Sequence, residues 1–512
     1  MKGLPIRQIL VVLLAIPALA LSFFIYQAGN FYVGLALLVV TCLGVYIYLS
    51  PSANTFRYLF PGFLGFGVFV IFPLVYTIWI GFTKYSSQNL LTFDRALALF
   101  RQETVAVEGA PTYKYTLFSQ GGAQHVLYLE DEKDPSKRFS SDPFPLEAGE
   151  KPKGDREPIR LNALPAGGKV SGEAMQMAQI NRAKLMSPLK ALKFALPDDT
   201  LVGLEGLTKF ASRQRLWKRN PDGTLTNAKD GTVIRPDLAQ GFFVNDKGEK
   251  VGVGFRTFAG FYNYIRILTD PRIRGPFLRI FLWTFAFSAL SVFLTFSVGM
   301  FLSVLLQQPD IRFRRTYRTL LILPYAVPGV LSILILKGLF NQEFGAINDM
   351  LRAFFGFAPE WETNPWGARA MVLLVNIWLG YPYMMLICTG MLQSIPSSIY
   401  EASAIDGSNK VVDFFSLTLP LVLPAMIPIL ISSFAFNFNN FNLIFLLTGG
   451  GPQMVGGNAG ETDLLVNFVF NIAFRDSGTN YGLAGAIATL LFILVGALSW
   501  VNLKLSARQV KI

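Results

Sequence analysis

The sequence predicts an all-α polytopic membrane protein with eight transmembrane helices, interrupted by one inserted β-rich domain outside the membrane. Three observations carry that expectation. Only 15% of the 512 residues are charged, against roughly 25% in soluble globular domains, while 52% are hydrophobic and the mean hydropathy is +0.42. The charges leave seven windows empty: 8–56, 58–83, 281–306, 319–336, 370–400, 414–460 and 477–503. Between the second and third of these lies one long charged stretch rich in turn residues. A soluble enzyme of this length is excluded.

A helix needs about 20 apolar residues to cross a bilayer. Window 8–56 holds two such stretches, 8–26 and 32–49, parted by the turn-like Gln27-Ala28-Gly29-Asn30, and each other window holds one. Lys2 and Arg7 precede an apolar run containing Ala18-Leu19-Ala20, which resembles a signal-peptidase site. The run continues through Leu21, Phe23, Phe24 and Ile25, long enough to span, so it reads as an uncleaved anchor. The chain then divides into three spans over 1–84, an external domain over 85–276, and a five-span core over 277–512. Eight crossings put both termini on one side. Lys2, Arg7, Arg57, Arg312, Arg314, Arg315, Arg318, Lys410, Lys504, Arg508 and Lys511 all fall there by alternation. The positive-inside rule makes that side cytoplasmic and 85–276 periplasmic. The net charge of +12 thus speaks of membrane orientation rather than nucleic acid.

The external segment opens with an amphipathic stretch from Leu90 to Arg101, with Leu91, Phe93, Ala96, Leu97 and Phe100 as its apolar residues. Gln120-Gly121-Gly122, Pro221-Asp222-Gly223 and Asp230-Gly231 punctuate short runs such as Thr232-Val233-Ile234, which reads as a small β-rich domain. The chain has two cysteines, Cys42 and Cys388, and one histidine, His125. No disulfide framework, Cys-based metal site or His cluster can be built from those counts. No nucleophile, base and acid occur at a known spacing, so a docking module is the expected role.

A transporter needs an energy source. The nearest approach to a phosphate-binding loop, Gly167-Gly168-Lys169-Val170, lacks the hydroxyl residue that would hold magnesium, so ATP hydrolysis by this chain alone is not expected. Ion-coupled carriers usually keep ionisable groups inside the membrane, and these windows hold none. Sodium sites built from carbonyls would escape that test.

Between the sixth and seventh spans runs Glu401-Ala402-Ser403-Ala404-Ile405-Asp406-Gly407-Ser408, followed by Phe414-Phe415, Leu417 and Leu419-Pro420. Small residues after Glu401 allow a short helix to pack closely on another protein, and Gly407 has the backbone freedom to end it. The stretch resembles the EAA loop of binding-protein-dependent ABC importer permeases: Glu-Ala-Ala, three residues, Gly, then an apolar residue and Leu-Pro. It matches at Glu401, Ala402, Asp406, Gly407, Leu417, Leu419 and Pro420, and departs at Ser403 and Ser408, where Ala is commoner. In that family the loop is a coupling helix seated in a cleft of the ATPase subunit. The resemblance therefore implies ATPase coupling at Glu401, Ala402, Ser403, Asp406 and Gly407.

Two uncharged polar stripes cross the apolar windows. Ser433, Asn437 and Asn440 follow i, i+4, i+7, as do Asn376, Gly380 and Tyr383. Read as helix faces, they offer amides and hydroxyls for sugar hydroxyls, with Phe436 and Tyr383 as aromatic platforms. Interhelical hydrogen bonding, worth about 0.5–2 kcal/mol per contact, explains the same residues equally well. Leu321 to Pro328, Trp378 to Met385 and Phe434 to Phe441 resemble the larger permease subunits of maltose/maltodextrin ABC importers, closely over 277–505 and recognisably over 56–94. That resemblance implies a sugar site lined by Asn376, Leu379, Gly380, Tyr383, Ser433, Phe436, Asn437 and Asn440, and an Ig-like external module that contacts a maltose-binding protein. It also implies a second permease subunit (MalG-like) and a cytoplasmic ATPase dimer (MalK-like) that holds ATP and magnesium, leaving this chain without a cofactor. Leu446-Leu447-Thr448-Gly449-Gly450-Gly451-Pro452 resembles the turn that follows this span in sugar permeases and reads as a flexible external loop. A secondary carrier and a membrane-anchored receptor or enzyme are the rival readings; neither explains the loop at Glu401.

Overall fold

The computed structural model describes residues 6–107, 109–147, 158–165, 168, 170–308, 311–455, 459–475 and 479–509. Lys2, Gly167, Lys169 and Lys511 lie outside these. The chain forms two compact units: Met1–Phe82 with Gly260–Ile512, and Thr83–Ala259.

The first unit is helical. Among the described residues, seven helices are long and apolar enough to cross a membrane: Gln8–Gln27, Phe31–Leu49, Pro51–Gly81, Pro271–Gln307, Pro365–Gln393, Lys410–Phe438 and Tyr481–Leu505. An eighth crossing exists if the pair Arg314–Ala326 and Gly329–Leu339, bent by 94° at the break, counts as one span. The stretch 319–336, read from sequence as one span, is thus two helices parted by a bend. Steric clash with a proline ring pushes the preceding residue out of the helical region. Val327, before Pro328, adopts φ −84°, ψ 131°, and the helix ends there. In chain order these are spans one to eight, the broken pair being span five.

Spans four (Pro271–Gln307) and six (Pro365–Gln393) pack most intimately. At Gly299 a Cβ would lie 2.7 Å from the Met385 nitrogen and 2.7 Å from Met384 Cβ, so only glycine admits this approach. Small residues at such crossings let backbones meet, and hydroxyls then bridge them. Ser303 Oγ donates to the Met385 carbonyl at 2.8 Å, one turn along the same seam. Trp283, Phe287, Met371, Val372 and Val375 fill the apolar layer beside it.

The second unit is β-rich, and it is shorter than the 85–276 stretch read from sequence. Residues from Gly260 onward belong to the helical unit, because Ile267 and Ile273 are buried in the same apolar cluster as Ile280, Leu483 and Ile487. The Ig-like expectation is also corrected. An Ig-like sandwich consists of two open sheets. Here Thr112–Ser119 pairs with Gln124–Asp131, which pairs with Arg138–Ser141 and then Ile159–Ala163. The path continues through Phe194–Ala195, Leu201–Glu205 and Lys209–Arg215. It closes where Lys209, Phe210 and Ala211 pair back to Lys114, Tyr113 and Thr112. A closed sheet has no free edge in that circuit. Its interior holds Leu117, Leu127, Leu129, Phe194 and Phe210, all fully buried.

A smaller sheet runs through Trp217–Arg219, Leu225–Asn227, Val233–Asp237, Phe242–Asn245 and Lys250–Val251. The turns at Pro221-Asp222-Gly223 and Asp230-Gly231 join its first three strands. The helix Phe93–Gln102, capped by Thr92, buries Ala96, Leu97 and Phe100 against Trp217, Leu225, Ile234 and Phe243. The amphipathic pattern read from Leu90 to Arg101 is therefore a packed helix of this second core.

Candidate functional site

Three places in the helical unit concentrate polar groups. At one end, the helix Ser397–Ile405 is followed by Gly407 at φ 78°, a left-handed conformation that ends a helix at little cost in glycine. Glu401, Ala402, Ile405, Asp406 and Gly407 are exposed, Ile405 by 86%. Ser403 differs from them. Its Oγ donates to Asp413 Oδ1 at 2.6 Å, and Ser408 Oγ donates to the same oxygen at 2.6 Å. Asp413 was not singled out from sequence, although it is the one acid between Asp406 and Glu461.

The second place lies where spans six and seven meet. Asn376 and Asn437 are buried, and Asn376 Nδ2 donates to Asn437 Oδ1 at 2.8 Å. Asn437 Nδ2 donates to the Ser433 carbonyl at 2.8 Å, and Asn440 Nδ2 reaches Asn376 Oδ1 at 3.4 Å. The three amides thus converge, but not as three residues on two helix faces. Span seven ends at Phe438, so Asn440 stands beyond it, and its Oδ1 accepts from Leu443 N at the start of the helix Phe441–Leu447. Phe436 and Tyr383 are exposed, by 72% and 41%. Gly380 lies against Thr295, whose Cγ2 would sit 2.8 Å from an added Cβ. Leu379 packs at the edge of the span-four and span-six apolar layer, and Ser433 is half-buried.

The third place is the Gly-Gly-Pro turn, and its reading as a flexible loop does not hold. Thr448 Oγ1 and Thr462 Oγ1 are 2.7 Å apart, and Thr462 Oγ1 also reaches the Gly451 carbonyl at 2.7 Å. Gly450 packs so closely on Asp463 that a Cβ would lie 2.2 Å from its Oδ1. Asp463 is 2% exposed; its Oδ2 accepts from Gly460 N at 2.8 Å and Asn471 Nδ2 at 3.1 Å. Burial pushes its carboxyl up to about 6, against the opposing pull of those donors and of Arg475. Arg369 at the start of span six pairs with Glu461 at 2.7 Å and covers the rings of Trp283 and Trp366. Trp283 Nε1 donates to the Thr462 carbonyl at 3.3 Å, and Leu465 N donates to Thr284 Oγ1 at 3.0 Å, so the turn is strapped to span four. The sequence signal was the acid pair at Glu461 and Asp463, set directly against the apolar Leu464-Leu465.

Residues 295–507 match the family described as binding-protein-dependent transport system inner membrane component. With the helices above, that match defines the class: a multi-pass membrane protein that is a transport component of the ABC importer kind. Residues 91–260 match the maltose transport system permease protein MalF P2 domain. The maltose/maltodextrin transport system permease protein MalF of Escherichia coli (strain K12) is 43% identical over 488 residues, covering 94% of this chain and 92% of that protein. Its namesake from Yersinia pestis is 41% identical over 512 residues, covering 98% of this chain and 94% of that protein. The chain belongs to the MalF family. Among solved structures, a chain of the bacterial alginate ABC transporter in complex with alginate pentasaccharide-bound periplasmic protein aligns over 49% of this chain and 83% of that one, at TM-score 0.42 and 18% identity. That likeness is too weak to add to the assignment.

Proposed function

We propose that this chain is the permease subunit through which an ATP-driven importer carries maltose and maltodextrins across the inner membrane. The observation that carries the reading is the joining of two features on one span. The exposed Glu401–Gly407 stretch leads straight into span seven, and span seven bears Asn437 at its other end. The names of the 43%-identical relatives supply the sugar.

In this reading both termini and the Glu401 loop are cytoplasmic, and Thr83–Ala259 is periplasmic, where it receives a maltose-binding protein. ATP and magnesium belong to a partner ATPase dimer, which one coupling loop cannot engage symmetrically, so a second permease subunit supplies the other. Sugar delivered from outside exchanges its hydroxyls into the mutual hydrogen bonds of Asn376, Asn437 and Asn440, while Phe436 and Tyr383 present ring faces to its C–H surfaces. ATP binding and hydrolysis then move the coupling helix and reorient the spans, giving alternating access.

The test replaces Asn437 and Asn440 together by Ala in the reconstituted importer. If the amides serve only as interhelical links, worth about 0.5–2 kcal/mol each, assembly weakens and sugar uptake by assembled complexes stays normal. The proposed site predicts the reverse: intact co-purification of the subunits and loss of maltose uptake. Normal uptake by the assembled variant refutes it.

A further inference from the structure

We infer that Asp413 is the positioning residue of the coupling loop, locking its helix to the base of span seven through Ser403 and Ser408. The inference rests on the transport reading above and names how the loop's motion reaches the membrane. Ser403 and Ser408 occupy the two positions where the loop departs from the Ala of the EAA pattern, and neither is a neutral replacement. Both hydroxyls donate to one carboxylate oxygen, each at 2.6 Å. Hydrogen bonds to an ionised acceptor are short and roughly twice as strong as neutral ones.

Asp413 lies in the first turn of span seven, which is fixed by its own cap. Asn409 Oδ1 accepts from Val411 N at 3.0 Å and Val412 N at 2.9 Å. A second tie runs parallel to the first. Tyr400 OH lies 3.0 Å from Thr418 Oγ1, and Thr418 Oγ1 in turn reaches the Asp413 carbonyl at 3.2 Å. Tyr400 and Ser403 are i and i+3 on the short helix, so they share a face, and that face is committed to span seven. Glu401, Ala402 and Ile405 are exposed and remain open to a partner. A loop with one face anchored and the other free acts as a lever. Pushed on its free face, it carries span seven with it; without the anchor it turns about the Gly407 joint.

The experiment uses the complete importer in lipid, with maltose-loaded binding protein, and reads the ratio of sugar-stimulated to basal ATP hydrolysis together with maltose uptake. Asp413→Ala is expected to lower that ratio about tenfold, within the usual range of coupling between sites. Ser403→Ala with Ser408→Ala is expected to do the same, and combining all three adds nothing, because one set of bonds is being removed. Asp413→Asn keeps an acceptor oxygen and recovers part of the ratio. An unchanged ratio in either Ala variant, or losses that multiply when combined, overturns the inference. Should Asp413→Ala fail to assemble, the double serine variant, which removes only two hydroxyls, decides. A wild-type complex showing no sugar stimulation refutes the transport reading instead. The clamp is then judged by a nitroxide on Ile405→Cys, with both native cysteines replaced by Ala. The label must gain mobility when the serines are removed; equal mobility overturns the clamp.

Discussion

Replacing Asp463 by Asn offers a quantitative test of the strapped turn. The carboxyl rises from 3.8 to about 6 because it is buried, with Oδ1 meeting no hydrogen-bond partner among the described residues. A shift of about 2 units corresponds to about 3 kcal/mol at 1.36 kcal/mol per unit. The sign follows from which form the fold prefers. The folded chain holds the proton more tightly than the unfolded chain, so this stabilisation is complete below pH 3.8 and lost as the pH rises through about 6. At neutral pH the turn therefore holds a buried, ionised acid at a cost. Asn has the same shape without the charge and should recover most of that loss, less whatever the Gly460 and Asn471 donors forfeit when their acceptor is neutral. The expected net gain is about 1–2 kcal/mol near neutral pH, shrinking to nothing near pH 4. Thermal unfolding of the detergent-solubilised chain across that range measures it. If Asp463→Asn lowers the midpoint at neutral pH, and by the same amount at every pH, the ionised carboxylate is a net stabilising partner and the reasoning fails.

Two further outcomes follow from the helical unit. Gly299→Ala places a methyl 2.7 Å from backbone and Cβ atoms of span six that cannot turn aside, so it should destabilise the chain by about 1–3 kcal/mol. Gly275→Ala on the same helix meets nothing within 4 Å and should leave the unfolding midpoint unchanged; equal effects of the two would refute the packing argument. Glu401→Lys, on an exposed position, should leave the chain folded while reducing the amount of partner ATPase that co-purifies, and undiminished capture with normal transport would remove Glu401 from the docking face.

The spans were legible because a long apolar helix in lipid excludes charge, and exclusion over 20 or more residues is hard to produce otherwise. Direction within a span was not. The residues of 319–336 are as apolar as a straight helix requires, and only Val327-Pro328 carries the bend. Likewise the turns of the external unit could be read locally, whereas closure of its sheet depends on Phe210 meeting Tyr113, a pairing between distant residues that strand alternation does not encode. In the polar cluster, composition pointed to the right asparagines, but helical spacing placed Asn440 on a helix that has already ended at Phe438. Asp413 escaped notice because it lies at the edge of a charge-free window, where it reads as a boundary marker rather than as a partner for Ser403 and Ser408.

The bend in span five also limits what can surround it. Proline has no N–H to donate, so Pro324 and Pro328 withdraw the helical partners of the carbonyls of Leu320 and Pro324. Tyr381 OH, from span six, reaches the neighbouring Leu321 carbonyl at 3.0 Å, on the side turned toward the protein. Leu320 itself is 57% exposed. Hydrocarbon offers no hydrogen-bond donor, so backbone freed at membrane depth must meet protein or water. The carbonyls that Pro324 and Pro328 leave without a helical donor therefore call for a donor from protein or water, whatever the hydrophobicity of the side chains around them.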